Sequence, residues 1–154
     1  MSQYRILLGY FDKQLLLIKS LYDEVITIDV KVYDKRFTFS MKTQQLYTAL
    51  EDLFKQIAKS FENHIEKLET FHKELLKRMT IEMPKMRPQV LSTKSFILLD
   101  KIRSFRHFIR HAYDCELDAE ELRLIQQKMK QDFFLVFNDL QQFREYLQEL
   151  IEVS

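Results

Sequence analysis

The chain has 154 residues, a formal net charge of +1 and 46% hydrophobic residues, which predicts a single domain over residues 1–154 whose core needs neither disulfides nor a structural metal. The only glycine, Gly9, excludes the glycine-rich loops with which nucleotide-binding folds approach phosphate, so any nucleotide chemistry must come from side chains. The only cysteine, Cys115, excludes an intrachain disulfide and a zinc site built on paired cysteines.

The sequence predicts no contact with a membrane. No apolar run approaches the roughly 18 residues of a transmembrane helix, and the N-terminal residues lack the layout of a signal peptide. Because a lone cysteine is typical of proteins in a reducing compartment, we expect this protein in the cytoplasm.

The first predicted element is a helix. Its apolar residues follow one another in alternating steps of four and three, which is the spacing of a helix that packs along one side. These residues are Tyr4, Leu8, Phe11, Leu15, Ile18, Tyr22 and Val25. The β-branched run from Ile26 to Val32 alternates as a strand would, but no second convincing strand is available to pair with it. We therefore interpret residues 25–39 as the end of the helix and a connection.

Two more helices are predicted before the prolines. Their apolar seams consist of Leu46, Leu50, Leu53, Phe54, Ile57 and Phe61 in the second, and Ile65, Leu68, His72, Leu75 and Met79 in the third. Pro84 and Pro88 then end the helical pattern. His64 and His72 lie on the third helix without carboxylates or cysteines at metal-ligand spacing, so we expect no metal site there.

The last two predicted helices are marked by their N-terminal caps. Ser92 or Thr93 can cap the fourth helix, which is predicted to run to about Tyr113. Asp118, with Glu121 three residues later, is similar to a capping box at the start of the fifth. The pattern as a whole therefore predicts an all-α fold of about five helices.

The fifth predicted helix carries more apolar residues than one neighbouring helix would cover. Its seam consists of Leu122, Ile125, Met129, Phe133, Val136, Leu140, Phe143, Leu147 and Leu150. Phe134 and Phe137 widen the apolar arc beyond this seam. Two interpretations are open: the extra rings form a subunit interface, or the last helix lies at the centre of a five-helix domain.

The end of the fourth helix concentrates positive charge. Residues 101–111 include four Lys or Arg residues and no acidic one. On a helical wheel one arc contains Leu98, Ile102, Phe105, Phe108, Ile109 and Ala112, and the other contains Arg103, Arg106, His107, Arg110, His111 and Tyr113. A local basic face on a nearly neutral protein indicates a defined phosphate site. The alternative is a solvated basic face near a helix C-terminus, where the helix dipole favours cations.

Arg106, His111 and Tyr113 have the spacing Arg-x4-His-x-Tyr. This spacing, within the run from Leu99 to Tyr113, resembles the signature of the HEPN superfamily, in particular the HepT-like ribonuclease toxins that are paired with a minimal nucleotidyltransferase antitoxin. The resemblance implies an up-and-down helical bundle that forms a homodimer. It also implies a metal-independent endoribonuclease that cleaves cellular RNA, either tRNA or mRNA, without a cofactor.

The residue types fit this chemistry. Cleavage of RNA without a metal needs a base for the 2′-hydroxyl proton, an acid for the departing 5′-oxygen and positive charge beside the phosphorane. We expect His111 to act as the base or acid and Arg106 to bind the phosphate with two hydrogen bonds. His107 is a candidate auxiliary acid or base. Arg103 and Arg110 are candidates for contacts with the RNA backbone or for salt bridges to the acidic last helix.

The resemblance assigns Tyr113 a different role, because the matching tyrosine of HepT-like toxins accepts an adenylyl group from the antitoxin. The alternative is that the ring of Tyr113 packs at the helix end. The function has an alternative too: a non-catalytic helical subunit that binds a nucleotidyltransferase and uses the motif as a phosphate or nucleotide dock. Arg106 and His111 are five residues apart and so about 140° apart on a regular helix. Either the helix unwinds near Ala112, or the pairs of two subunits face each other across a groove.

Overall fold

The computed structural model describes residues 2–62, 71–111 and 117–153, and the side chains of these residues apart from residue 71 and residues 106–111. Five α-helices occupy them: α1 (Ser2–Thr27), α2 (Tyr33–Glu62), α3 (Phe71–Met79), α4 (Thr93–His111) and α5 (Ala119–Val153). Within these ranges there is no strand, only an isolated bridge between Met83 and Arg87, and no helix is both long and apolar enough to cross a membrane. The predicted all-α class is confirmed.

The first two helices are antiparallel. At one end of the pair, the side-chain amide of Gln3 donates a hydrogen bond to the carbonyl of Ser60, 3.4 Å away. At the other end, Lys42 and Glu24 form an ion pair of 3.1 Å. Contacts at both ends therefore fix the direction of α2 against α1.

The last helix is antiparallel to the first. Gln126, near the start of α5, donates a hydrogen bond of 2.9 Å to the carbonyl of Val25 near the end of α1. Arg144, eighteen residues further along α5, donates a hydrogen bond of 2.6 Å to Asp12 in the first half of α1. Since α1 opposes both α2 and α5, the helices α2 and α5 run in the same direction.

The fourth helix runs back against these two. Ser95, in its first turn, bonds Asp139 in the second half of α5, and Phe105, ten residues later, packs edge-on against Phe39 near the start of α2 with 6.2 Å between ring centroids. The end of α4 thus lies where α1 ends and where α2 and α5 begin. We call this the α4 end of the bundle.

A continuous core joins the helices. Its largest fully buried side chains are Tyr47, Phe11, Phe39, Phe54, Phe133, Phe143, Ile18, Leu46, Leu50, Leu53, Ile57 and Leu75. The predicted seams of α1, α2 and α5 supply most of these residues, so their helical periodicity is confirmed. Of the third predicted seam, His72, Leu75 and Met79 lie in α3, whereas Ile65 and Leu68 lie outside the described residues, as does His64.

The start of α2 differs from the sequence interpretation. Residues 28–32 form the connection, but α2 begins at Tyr33, so the assignment of residues 33–39 to a connection was wrong. The β-branched run ends in a short turn, because the carboxylate of Asp29 accepts a hydrogen bond of 3.0 Å from the Lys31 amide. The first turns of α2 are then held by Phe39, which is fully buried, and by Asp34, whose charge suits a helix N-terminus.

The extra rings of α5 behave differently from each other. Phe137 packs within the chain, with its ring centroid 5.5 Å from that of Tyr22 and 5.1 Å from that of Phe133. Phe134 is 56% exposed. The interpretation of α5 as a central helix explains Phe137, while Phe134 still offers an apolar surface for a subunit interface.

Candidate functional site

The start of α4 is fixed by a cluster of two serines and an aspartate. The Ser92 hydroxyl accepts a hydrogen bond of 3.3 Å from the Ser95 amide, so Ser92 is the N-cap. Asp139 of α5 accepts hydrogen bonds from the Ser92 amide (2.8 Å), the Ser92 hydroxyl (2.8 Å) and the Ser95 hydroxyl (2.5 Å). This carboxylate ties the first turn of α4 to α5 and so determines where α4 ends, about 24 Å further along the axis.

The middle of α4 has one buried and one exposed side. Leu98, Leu99 and Ile102 are buried, and Phe105 is half-buried. The exposed residues are Lys94, Ile97, Lys101 and Ser104. The predicted packing of Leu98, Ile102 and Phe105 is confirmed, but the burial of Leu99 makes the inner side of the helix wider than the predicted arc. Phe108, Ile109 and Ala112 lie outside the described side chains.

The helix is continuous from Thr93 to His111, so no break separates helix positions 106 and 111. Position 106 follows the buried Leu99 by seven residues, and position 111 follows the exposed Ser104 by seven. Seven residues turn an α-helix to within about 20° of the starting direction, whereas five turn it by about 140°. Positions 106 and 111 therefore lie on different sides of α4.

Arg103 is the one predicted site residue whose side chain the structure describes. Its guanidinium donates a hydrogen bond of 3.0 Å from Nε to Asp100, three residues earlier in α4. The predicted alternative, a salt bridge to the last helix, was wrong about the partner, because the (i, i+3) spacing brings Asp100 closer. The pair is partly exposed and so contributes little to stability.

The other predicted site residues are not placed in this way. The side chains of Arg106, His107, Arg110 and His111, and the whole of Tyr113 and Cys115, lie outside the described residues. Their assignments therefore stay predictions. What the structure adds is the helical backbone at positions 106, 107, 110 and 111, and the elements that meet at the end of α4.

The start of the fifth helix bears on the same end. Asp118 is its N-cap, and the Asp118 carboxylate accepts a hydrogen bond of 2.9 Å from the Glu120 amide. This amide is one residue earlier than the Glu121 amide that a capping box uses, so the predicted cap is confirmed with a different donor. Leu117, the residue before this cap, lies buried at the α4 end.

The first turns of α2 also lie at the α4 end, and sequence interpretation missed them. Arg36 donates hydrogen bonds to the carbonyls of Val30 (2.9 Å) and Leu117 (3.4 Å). It thereby joins the α1–α2 connection to the residue that precedes α5. The signal that could have identified these turns is the helical spacing from Phe39 to Leu46, which continues the seam of α2 backwards.

Two groups of charged side chains among the described residues are built on a buried carboxylate. Glu51, buried in α2, lies 2.6 Å from Nδ1 of the half-exposed His72. At the far end of α2, Glu62 pairs with Arg78 (3.2 Å) and with the fully buried Arg87 (3.4 Å), and burial lowers the pKa of Arg87. Among the described residues no group of three or more His, Cys, Asp or Glu side chains could hold a metal. Both groups connect secondary-structure elements and lie away from the α4 end.

Arg87 is the main support of the connection between α3 and α4, which contains both predicted helix-breaking prolines. Its guanidinium donates hydrogen bonds to the carbonyls of Ile81, Pro88 and Arg78 at 3.0–3.2 Å. The charge is thus used to satisfy backbone carbonyls in a segment without regular structure. This arrangement has the features of a structural support, because its hydrogen-bonding groups are directed at the protein itself.

Comparison with known proteins gives one result. The model of a family described as HepT-like protein matches residues 38–147 of the chain. The matched region runs from the start of α2 into the last third of α5 and includes all of α3 and α4. Searches among curated proteins and among solved structures found no match.

Proposed function

This chain belongs to the HepT-like family of the HEPN superfamily, and we propose on this basis that it is a ribonuclease toxin of a toxin–antitoxin pair, acting on tRNA or mRNA in the cytoplasm. The observation that carries the proposal is the family match, because it spans the whole of α4 and the Arg-x4-His-x-Tyr spacing of Arg106, His111 and Tyr113. The anchoring of α4 by Asp139 supports it, since a catalytic pair must be held in a fixed place.

In the proposed reaction, RNA supplies its own nucleophile. His111 takes the proton of the 2′-hydroxyl, and the 2′-oxygen attacks the adjacent phosphorus while Arg106 binds the non-bridging oxygens. A second histidine returns a proton to the departing 5′-oxygen. The products are a 2′,3′-cyclic phosphate and a 5′-hydroxyl, and neither water nor metal takes part in this step.

We further propose that the site is composed across two copies of the chain. Because α4 is continuous to His111, positions 106 and 111 of one helix start from sides about 140° apart. Arg106 of one copy and His111 of a second copy can face each other if two α4 helices line a common groove. In each of the two sites His111 serves as the base, and His107, the candidate auxiliary acid, serves as the second histidine.

Growth and RNA cleavage on induced expression test the enzymatic part. We expect the wild-type chain to arrest growth and to yield RNA fragments with cyclic-phosphate ends, and His111→Ala to do neither. Lys101→Ala is the matched control, since it removes an exposed charge of the same helix outside the proposed machinery. Equal behaviour of wild type and His111→Ala, without fragments, would leave the non-catalytic partner of a nucleotidyltransferase as the better description.

Mixing two inactive variants tests the composition of the site. If Arg106→Ala and His111→Ala chains are unfolded and refolded together, a composite site returns activity, because a mixed dimer contains one site with both side chains intact. With random mixing half of the dimers are mixed and one of the two sites in each is intact, so about a quarter of wild-type activity is expected. A site built within one chain would give none, since every chain then lacks one residue of the pair.

The proposed partner is a nucleotidyltransferase that transfers the adenylyl group of ATP to the hydroxyl of Tyr113, with release of pyrophosphate. The added phosphate would lie two residues from His111 and would compete with RNA for Arg106. Co-expression with a candidate antitoxin, followed by mass spectrometry, should show adenylyl groups on the wild type and none at this position in Tyr113→Phe. Toxicity of Tyr113→Phe that persists beside the active antitoxin would support inactivation by this route.

A further inference from the structure

Two aromatic rings are exposed on successive turns at the start of α2. Tyr33 is 52% exposed and Phe37 is 53% exposed. The rings are perpendicular, with 5.8 Å between their centroids. An (i, i+4) aromatic pair adds only a few tenths of a kcal/mol to a helix, which does not account for leaving this much ring surface in water.

Positive charge surrounds the rings. Lys31, Lys35 and Arg36 have no carboxylate of the described residues within ion-pairing distance. The guanidinium of Arg36 lies over the Tyr33 ring, 5.5 Å from its centroid. Its N–H groups donate to main-chain carbonyls, which hold the charge in place without neutralising it.

Two acidic side chains, Asp29 and Asp34, are neighbours of these cations in the sequence. Asp29 accepts a hydrogen bond from the Lys31 amide, and Asp34 occupies the first turn of α2, where it compensates the helix dipole. The surface made by Lys31, Lys35, Arg36 and the two rings is aromatic, and its three cations outnumber the two neighbouring carboxylates by one charge. We call it the α2 platform.

The α2 platform is level with the end of α4. Phe39 of α2 contacts Phe105 of α4, and the two helices run in opposite directions. Position 111 lies six residues after Phe105, and Tyr33 lies six residues before Phe39. Because the helices are antiparallel, both positions are displaced from the Phe39–Phe105 contact by about 9 Å in the same direction along the bundle. Arg36 also bonds Leu117, the residue after segment 112–116. The α2 platform and the proposed catalytic positions thus share the α4 end of the bundle.

We propose that the α2 platform binds single-stranded RNA, with unpaired bases stacked on Tyr33 and Phe37 and backbone phosphates beside Lys31 and Lys35. Single-stranded nucleic acid is recognised by this combination, because every base has an aromatic face and every linkage carries a negative charge. A protein partner could also cover the rings, but it would need carboxylates of its own opposite the three cations, whereas RNA supplies a negative charge at every linkage. This inference rests on the proposed function for its substrate and extends it to a second contact.

Leucine substitutions of Tyr33 and Phe37 distinguish base stacking on an aromatic ring from a general apolar contact. In a His111→Ala background, which prevents cleavage, binding of a fluorescent oligouridine is measured by anisotropy. We expect Tyr33→Leu and Phe37→Leu each to weaken binding about tenfold, because a leucine keeps the apolar contact and loses the aromatic face. Tyr33→Phe and Phe37→Tyr should bind within about twofold of the background protein. Circular dichroism of each variant checks that α2 has formed.

Met41 supplies the matched control. It lies one turn beyond Phe37 on the same side of α2, is 57% exposed, and lacks an aromatic ring. Met41→Ala should leave RNA affinity unchanged. The salt dependence of binding gives a second readout, since Lys31→Gln and Lys35→Gln should each lower the slope of log affinity against log salt by about 0.7 per phosphate lost.

Unchanged affinity of both leucine variants would overturn the inference, and so would an absence of measurable binding by the background protein. If the leucine variants and Met41→Ala instead weaken association between chains or with a protein partner, while RNA binding stays intact, the surface is a protein interface. The proposed function can fail separately. If the wild-type chain cleaves no RNA but Tyr33→Leu weakens RNA binding, the ribonuclease is refuted and RNA binding by the α2 platform is supported. If a chain with both leucine substitutions and an intact His111 cleaves RNA normally, the ribonuclease is supported and RNA binding by the α2 platform is refuted.

Discussion

Replacing Asp139 with alanine should destabilise the protein through the start of α4. The carboxylate accepts three hydrogen bonds from Ser92 and Ser95, and Ser95 is fully buried. Loss of the acceptor leaves the Ser95 hydroxyl without its short bond, at about 1–3 kcal/mol. Weakening of the Ser92 cap adds about 1 kcal/mol. Since Asp139 itself is only half-buried, water replaces part of the loss, and we expect about 2–3 kcal/mol in the free energy of unfolding.

Urea unfolding followed by circular dichroism measures this difference as a shift of the midpoint at constant slope. Asp132→Ala is the matched control, because Asp132 also lies on α5 and pairs with Lys128 in a partly exposed (i, i+4) bridge of 2.8 Å, worth below about 0.5 kcal/mol. Asp139→Asn retains one acceptor oxygen and should fall between the two. A loss below about 0.5 kcal/mol for Asp139→Ala would refute the claim that this cluster anchors α4.

Four further substitutions make independent predictions. The hydrogen bond from Arg144 holds the pKa of Asp12 below its ordinary value. The stability that this bond contributes is present above about pH 3.9 and is lost as the pH falls through the lowered pKa. Asp12→Asn should therefore cost less than about 1 kcal/mol at neutral pH and a smaller amount in acid, as measured by urea unfolding at both pH values. Phe137→Ala should lower the free energy of unfolding by about 3 kcal/mol, because the ring packs on the core. Phe134→Ala should change that of the single chain by less than about 0.5 kcal/mol. Arg103→Ala should be similarly neutral for folding, so a raised KM for RNA with an unchanged unfolding midpoint would identify a substrate contact, and an unchanged KM would assign Arg103 to its intrahelical pair alone.

The seams of α1 and α5 were predictable because each helix buries one continuous side. Residues from Tyr4 to Val25 and from Leu122 to Leu150 repeat at helical spacing over many turns, and such a pattern has no competing interpretation. The N-caps were predictable for a similar reason, since Ser92 and Asp118 act on amides of their own helices. Local information was enough for these elements.

The start of α2 was not predictable in the same way. The run from Ile26 to Val32 has the composition of a strand, and the residues that turn the chain into a helix act over long distances. Phe39 is buried by contact with Phe105, sixty-six residues later, and Arg36 is fixed by a carbonyl at Leu117. Tertiary contacts therefore decided this boundary, and the exposed rings of the α2 platform became visible only with it.

The two parts of the proposed RNA site contact each other through Phe39 and Phe105, but each also has hydrogen bonds that the other lacks, and this makes them separable by experiment. The end of α4 is positioned by a stiff helix that Asp139 anchors about 24 Å away. The α2 platform has hydrogen bonds of its own, which Arg36 donates to the carbonyls of Val30 and Lys31 in the connection just before α2. Displacing α4 should therefore impair cleavage more than binding, whereas removing the ring of Tyr33 should impair binding first. A ribonuclease whose Asp139→Ala variant binds oligouridine normally but cleaves slowly would have its catalytic groups on α4 and part of its substrate affinity on α2.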